Sequence, residues 1–195
     1  MSLTIVFRTR PKVGESANGD AGLVRRSDGH TMFAVIDALG HGVVAQSVAD
    51  RARAALDEAP LEPGALSLIE LVHQALKGTR GAALTVGVHS HGSRTIELAG
   101  VGNVQARSFS RSLPFVASPG VLGSRISRPR VSTFDLMPNE TLLIASDGLP
   151  RRTSAALKDA PNADAHALCD QLIAVSHEHD DATVMLVRLG GATPC

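Results

Sequence analysis

Residues 31–42 read TMFAVIDALGHG, an apolar, strand-like run that ends on Asp37 where the chain turns towards a helix. The same pattern recurs. Residues 141–148 read TLLIASDG, another apolar run closed by an acid, Asp147, and residues 180–187 read DDATVMLV, a run opened by Asp180. A fourth carboxylate, Asp20, follows Asn18-Gly19 at the start of Ala21–Arg26. An ionised carboxylate at the mouth of a buried sheet is costly unless something positive neutralises it. Four gathered at one edge ask for hard, oxygen-preferring cations such as Mg²⁺ or Mn²⁺. Metal-assisted chemistry follows, with phosphoryl hydrolysis its natural form. Taken singly, Asn-Gly-Asp, Asp-Gly and Asp-Asp are ordinary turn chemistry. Context separates them from that background: Asp37 and Asp147 end the two most apolar runs and Asp180 starts the third. Three neighbouring central strands are expected to deliver them to one edge.

Working outward, Leu3–Arg8 is a β-prone run before a turn-rich stretch from Pro11 to Asp20. Asn18-Gly19 is a two-residue hairpin signal, and Ala21–Arg26 and Thr31–Ile36 flank Ser27-Asp28-Gly29. The expectation is an opening antiparallel meander. Val43–Glu58 has Val44, Val48, Ala52 and Ala55 at helical spacing, with Pro60 ending it. A second helix covers Ala65–Leu76 through Leu68, Leu71, Val72 and Leu76, with Gly78 past its end. Strands are then predicted at Ala82–Val88, Thr95–Ala99, Val104–Phe109 and Leu113–Val116. After a long polar segment, Ala117 to Pro129, come Val131–Leu136 and Thr141–Ala145, expected to pair through Pro138-Asn139. Asp164–Val175 is a helix and Ala182–Leu189 the closing strand. Strands in hairpin-linked groups, not alternating with helices, define an α+β fold with antiparallel sheets and helices on the outer faces. One domain over residues 1–195 is the expected organisation.

Composition excludes several functions. The chain has 195 residues and a formal net charge of +0, which removes the simplest electrostatic case for nucleic acid or an anionic membrane. There are five Phe and no Trp or Tyr, so base-stacking platforms are disfavoured. Cys169 and Cys195 have no metal spacing and make no disulfide framework, the pattern of a reducing cytoplasm. No run approaches the roughly 18 apolar residues of a membrane helix, and the N-terminus lacks a signal-peptide pattern. The expectation is a soluble cytoplasmic protein.

Five segments in order then resemble a known family: DALGHG (37–42), VGNV (101–104), PGVLG (119–123), SDGL (146–149) and HDDATV (179–184). They are similar to the metal-dependent Ser/Thr protein phosphatases of the PPM type, and most to the bacterial SpoIIE-like branch. The resemblance runs from about Asn18 to Leu189. With no sensor or membrane region attached, the chain looks like the small stand-alone, RsbX-type members. The resemblance implies a two-sheet antiparallel β-sandwich flanked by helices, with two Mn²⁺ or Mg²⁺ ions at one end and a third left open. Carried over by position, Asp37 bridges both metals and the Ala38 carbonyl binds one. Asp147 and Asp180 hold the other metal, Asp20 binds directly or through water, and Asp181 stands behind the ligands. Two departures stand out. Ala38 replaces the usual Gly, which suits a carbonyl ligand only if the backbone accepts a Cβ. The phosphate-gripping arginine of the eukaryotic relatives is missing, its place falling near Glu15.

The implied chemistry is attack on phosphorus by a water that two metals activate, without a phospho-enzyme. His41 is the candidate proton donor to the leaving alkoxide, against a packed histidine at a helix entry. His179 is a candidate for orienting water. His89 and His91 are expected at an exposed hairpin tip, and Arg125, Arg128 and Arg130 form either a substrate-gripping lid or a solvated loop. The implied substrate is a phosphorylated signalling protein, an anti-sigma-antagonist or stressosome type, with no nucleic-acid or membrane partner. Two alternatives stay open. One is a phosphatase-like domain that binds its partner without turnover. The other is a zinc hydrolase using His177, His179, Asp180 and Asp181.

Overall fold

The apolar runs lack polar alternation because both of their faces are covered. The computed structural model describes residues 3–150 and 163–189. Its elements are β1 (Leu3–Arg10), β2 (Asp20–Ser27), β3 (His30–Ala38), α1 (Gly42–Glu58), α2 (Ala65–Ala75), β4 (Ala82–Ser90), β5 (Thr95–Val101), β6 (Gln105–Ser108), β7 (Val131–Asp135), β8 (Thr141–Ala145), α3 (Ala165–Ala174) and β9 (Ala182–Leu189). Two antiparallel sheets form, one ordered β1-β9-β8-β6 and the other β2-β3-β4-β5-β7. This is the α+β sandwich expected. Among the described residues no helix is long and apolar enough to cross a membrane.

Side chains along a strand alternate between faces, and each face here has its own cover. In β3, Phe33 and Val35 enter the layer between the sheets, where Ile96, Leu142, Ile144, Met185 and Val187 meet them. Met32, Ala34, Ile36 and Ala38 point the other way, onto α1 and α2. In β8 and β9, Leu143, Val184 and Leu186 face Leu168, Cys169 and Leu172 of α3. The result is helices, sheet, sheet and helix stacked in four layers.

The buried stripe of α1 is Ala45, Val48, Ala49, Ala52 and Leu56. It is rotated from the expected stripe, so Val44 stays exposed. Three alanines let the helix lie close to the sheet, and proximity outweighs side-chain size in setting its rotation. In α2 the stripe is Ala65, Leu68, Ile69 and Val72, leaving Leu71 exposed. α3 starts at Asp164, whose Oδ1 accepts a hydrogen bond from Ala167 N at 2.9 Å.

Four expectations are corrected. The opening meander is only β2 and β3, since β1 pairs with β9 in the other sheet. Asn18-Gly19 is therefore a crossing between sheets, where the Asn18 carboxamide oxygen accepts from Asp20 N at 2.9 Å. β7 and β8 do not pair: β7 joins β5, and β8 joins β6 and β9. Asn139, at φ 63°, turns the chain from one sheet to the other. Residues 113–116 form no strand; Pro114 cannot donate to a ladder. His89 is fully buried, its Nε2 3.0 Å from the Ser93 carbonyl oxygen, and burial lowers its pKa. His91 is exposed, as expected. Cys195 lies outside the described residues.

Phe33 sits directly across from Gly87 in the β3–β4 register, and a Cβ on Gly87 would lie 2.2 Å from its ring. Phe33→Ala should therefore cost about 3–5 kcal/mol, read as a lower denaturant midpoint at unchanged m-value; a loss below about 1 kcal/mol would contradict this packing.

Candidate metal centre

One end of the sandwich collects strand termini from both sheets. β3 finishes at Ala38 opposite Ala82, the first residue of β4. Asp20, the first residue of β2, is the register partner of Asp37. In the other sheet β8 finishes at Ala145 opposite Val184 of β9, so Asp147 and Asp180 emerge side by side. The carboxylates come from facing sheets, not from three neighbouring strands as the apolar runs suggested.

Asp20 is buried and Asp37 half-buried. Each leaves its Oδ2 shielded from solvent without a hydrogen-bond partner. Burial pushes the Asp37 carboxyl up to about 9, helped by the charges of Asp20, Asp147, Asp180 and Asp181. Burial pushes Asp20 up to about 7, with Asp181, Asp147 and Asp180 adding to the rise; the Ser146 hydroxyl works against it. Ser146 has one proton to give, and the Thr183 carbonyl at 3.5 Å competes for it. Asp180 is raised too, by burial and by Asp147. Asp147 itself is exposed, and its Oδ2 accepts from Asn103 Nδ2 at 2.7 Å.

Asp181 has a different task. Its Oδ1 accepts from Lys12 N and its Oδ2 from Gly19 N, both at 2.8 Å. It ties the segment between β1 and β2 to the start of β9 and so sets the position of Asp20. Gly148 packs beneath it: a Cβ there would lie 2.1 Å from the Asp181 carbonyl oxygen. Only glycine lets the turn after Asp147 approach β9 this closely. Ala38 lies within β3 and is buried, its N donating to the Gly19 carbonyl at 3.0 Å. Its φ is not positive, so a Cβ is tolerated where the related proteins carry Gly.

His41 is the N-cap residue of α1 and is exposed. Its Nδ1 is 2.6 Å from Glu15 Oε1, and its Nε2 is 3.4 Å from Lys12 Nζ. Glu15, near which the family resemblance would place an arginine, instead orients a histidine. A guanidinium does reach this end from elsewhere. Arg80 precedes Gly81, whose carbonyl accepts from Leu39 N at 3.0 Å. Gly40, at φ +91°, lies against it: a Cβ there would be 3.2 Å from Arg80 Nη1. Arg80 is exposed and no hydrogen bond or ion pair engages it among the described residues. No local signal marks residue 80; only the β3–β4 register carries it to the site. His177 and His179 are exposed, their rings tilted 35° to each other with centroids 5.0 Å apart. Cys169 is buried with its thiol pushed up to about 11 by burial, so it supplies no thiolate.

Among the described residues no three acidic, His or Cys side chains already close around one point as ligands. The donor chemistry nevertheless fits divalent cations of the Mg²⁺ or Mn²⁺ kind. Every candidate donor is oxygen, two are buried and unbonded, and the accumulated negative charge is what such ions neutralise.

This fold is that of PPM-type serine/threonine phosphatases. Residues 27–190 match the family described as Stage II sporulation protein E (SpoIIE), and the chain belongs to that family. A solved structure from work on the bacterial stressosome, as a modular system adapted to control secondary messenger signalling, is 28% identical with a TM-score of 0.83, over 96% of this chain and 100% of the other. RsbX in complex with magnesium is 23% identical with a TM-score of 0.80, over 96% of each chain. The PP2C phosphatase domain of SpoIIE from Bacillus subtilis, solved with a fragment of its regulatory domain, is 16% identical with a TM-score of 0.78, over 99% of this chain and 63% of that one. The last two likenesses concern the fold alone. No match was found among curated proteins. PPM phosphatases are metal-dependent.

A pH dependence follows from the raised carboxyls. In the folded, metal-free chain Asp37 and Asp20 keep protons that the unfolded chain releases near pH 4, so stability is greatest below that and is lost as pH rises through about 7 and about 9. Thermal unfolding in chelator should show this decline between about pH 4 and about pH 9, and Mn²⁺ should reverse it at the alkaline end. Asp37→Asn should flatten the slope and raise the melting temperature in chelator at alkaline pH. A flat wild-type profile would contradict the arrangement.

Proposed function

We propose that this chain is a cytoplasmic phosphatase that removes phosphate from serine or threonine on a bacterial signalling protein of the stressosome or sigma-factor regulatory type, using two Mn²⁺ or Mg²⁺ ions. The observation that carries the reading is the pair of buried, unbonded carboxylate oxygens on Asp20 and Asp37, facing Asp147 and Asp180. A site of that charge gains nothing from a neutral ligand. The similarity to structures from stressosome and Rsb regulatory systems supports the class of partner.

Asp37 would serve both cations, with the Ala38 carbonyl on one of them. Asp147 and Asp180 would hold the other, and Asp20 would bind directly or through water. When bound, such ions lower the pKa of water towards neutrality and offset charge on the phosphoryl oxygens. The chain's own residues do the rest. Asn103 fixes Asp147 through its hydrogen bond. Arg80 takes the place of the missing arginine and grips a phosphoryl oxygen, a contact guanidinium makes well. His41, held through Nδ1 by Glu15, is the proton donor to the departing alkoxide, which requires Nε2 to turn from Lys12 Nζ to the leaving group.

The test is hydrolysis of a phosphoserine peptide in Mn²⁺. Asp37→Asn and Asp147→Asn should reduce turnover to background while circular dichroism stays unchanged, and excess chelator should do the same to the wild type. Activity surviving in either variant would refute the assignment. His41→Ala should lower kcat on phosphoserine by about 10²–10⁴-fold and much less on p-nitrophenyl phosphate, whose leaving group needs no proton. Equal losses on both substrates would remove His41 as the donor. Arg80→Ala should weaken KM and inorganic-phosphate inhibition together, by about 10–100-fold, the worth of a hydrogen bond to a charged group; no change in either would exclude the contact.

A further inference from the structure

The segment between β6 and β7 is longer than its connection requires. It is also pinned down. Ser118 bridges to Val101, Leu122 to Ala82, and Gly120 to Ile126. Leu122 is fully buried, and Gly123 N donates to His73 Nδ1 at 3.1 Å. These contacts hold residues 118–126 against the ends of β4 and β5, the same end of the sandwich as the carboxylates.

Two depressions meet along this segment. One, of about 370 Å³, starts at Asn103, the residue bonded to Asp147, and runs to Val116 and Ala117. The other, of about 830 Å³, shares Val116 and Ala117 as a wall and continues past Arg128 and Arg130 to Val131 and Ser132. The two depressions adjoin along that wall, and together they make a trough-like surface that leads away from the carboxylates. Val116 is 82% exposed and Val131 42% exposed, so apolar surface lies open along it. Among the described residues no acidic side chain lines either depression. Arg128 and Arg130 in the wall, and Arg125 in the adjoining turn, make no ion pair or side-chain hydrogen bond among the described residues. Val131 and Ser132 belong to β7, the edge strand of its sheet.

We infer that the trough binds an extended, acidic segment of the substrate protein beside its phosphorylated residue. This rests on the phosphatase reading and names the substrate chemistry it selects. Charge is segregated at this end: carboxylates at the centre and the guanidiniums of Arg128 and Arg130 along the trough, within a chain of zero formal net charge. An acidic flank is repelled by the first and attracted by the second, which sets both its place and its direction. The exposed valines receive its apolar side chains, and the open edge of β7 suits an extended backbone. Aromatic stacking surfaces for nucleic acid are missing from the walls apart from Phe115.

The experiment compares phosphoserine peptides with glutamate, alanine or lysine on one or the other side of the phosphoserine, using the Mn²⁺-loaded full chain. Glutamate on one side should raise kcat/KM about tenfold over alanine at low salt, with lysine lowering it and added salt erasing the difference. Arg128→Glu with Arg130→Glu should invert the order, so that the lysine peptide becomes the better substrate. Fluorescence anisotropy with the same peptides carrying unphosphorylated serine gives a second readout that needs no turnover. Absent turnover would defeat the phosphatase reading, whereas equal affinity for the glutamate and alanine peptides would overturn the trough whether or not the chain is active. Should the double variant fail to fold, the wild-type ranking and its salt dependence decide the matter. Equally tight binding of an oligonucleotide of matched charge would overturn the inference in favour of a general polyanion site. A dimer in sedimentation that Arg128→Ala with Arg130→Ala abolishes would overturn it in favour of a second copy of this chain.

Discussion

The arrangement depends on one unfavourable interaction: two carboxylates held opposite each other at the end of a sheet, with a buried oxygen on each. Asp20 and Asp37 are register partners, and like charges directly across a ladder destabilise it. They persist because the register is determined elsewhere. A slip of one residue between β2 and β3 would turn Phe33 and Val35 out of the layer between the sheets, and Met32, Ala34 and Ile36 away from the helices. Each of those side chains is fully buried. Core packing therefore outweighs the repulsion and holds the carboxylates ready for a positive partner.

The second sheet completes what the first begins. Asp147 and Asp180 emerge where β8 and β9 run side by side, and Asp181 reaches across to the backbone of Lys12 and Gly19. That cross-link spends a buried carboxylate on positioning, not on binding. Gly148 makes it sterically feasible by leaving room beneath the Asp181 carbonyl. The site is thus a property of the sandwich as a whole, since neither sheet carries the set of acids alone.

Much of this was legible in the residues themselves. Strand ends at Asp37, Asp147 and Asp180 announce themselves because an acid abruptly interrupts apolar text, and five short segments in order resemble one family. What escaped was the partition of strands between sheets. Asn18-Gly19 carries a strong local turn signal, yet β1 leaves for the other sheet because its partner is β9, more than 170 residues away along the chain. Pairing over such distances is decided by which faces can be buried together, and that leaves no local mark. The same reason hid Arg80 and the Glu15–His41 pair. Each joins the site through register or a loop contact, not through a motif. His89 lies inside β4, because the strand runs on to Ser90 and the hairpin tip begins two residues later than polarity alone indicates, at His91.

These differences divide the site into parts of unequal rigidity. The carboxylates stand on or next to strands whose positions the core enforces. The cationic and proton-bearing groups lie on connecting segments: Lys12 and His41 before the first helix, Arg80 ahead of β4, and Arg128 and Arg130 ahead of β7. A metal-binding site tolerates little displacement of its ligands, so strand ends suit it. Recognition of a protein substrate has to vary from one partner to another, and loop residues change without disturbing the core. Ala38 illustrates the boundary. It departs from the usual glycine inside a rigid strand, and does so harmlessly because the backbone there is extended and has no need of glycine's freedom. Substitution at the rigid end is limited by backbone geometry, whereas along the arginine-lined trough it is limited only by the charge of the partner.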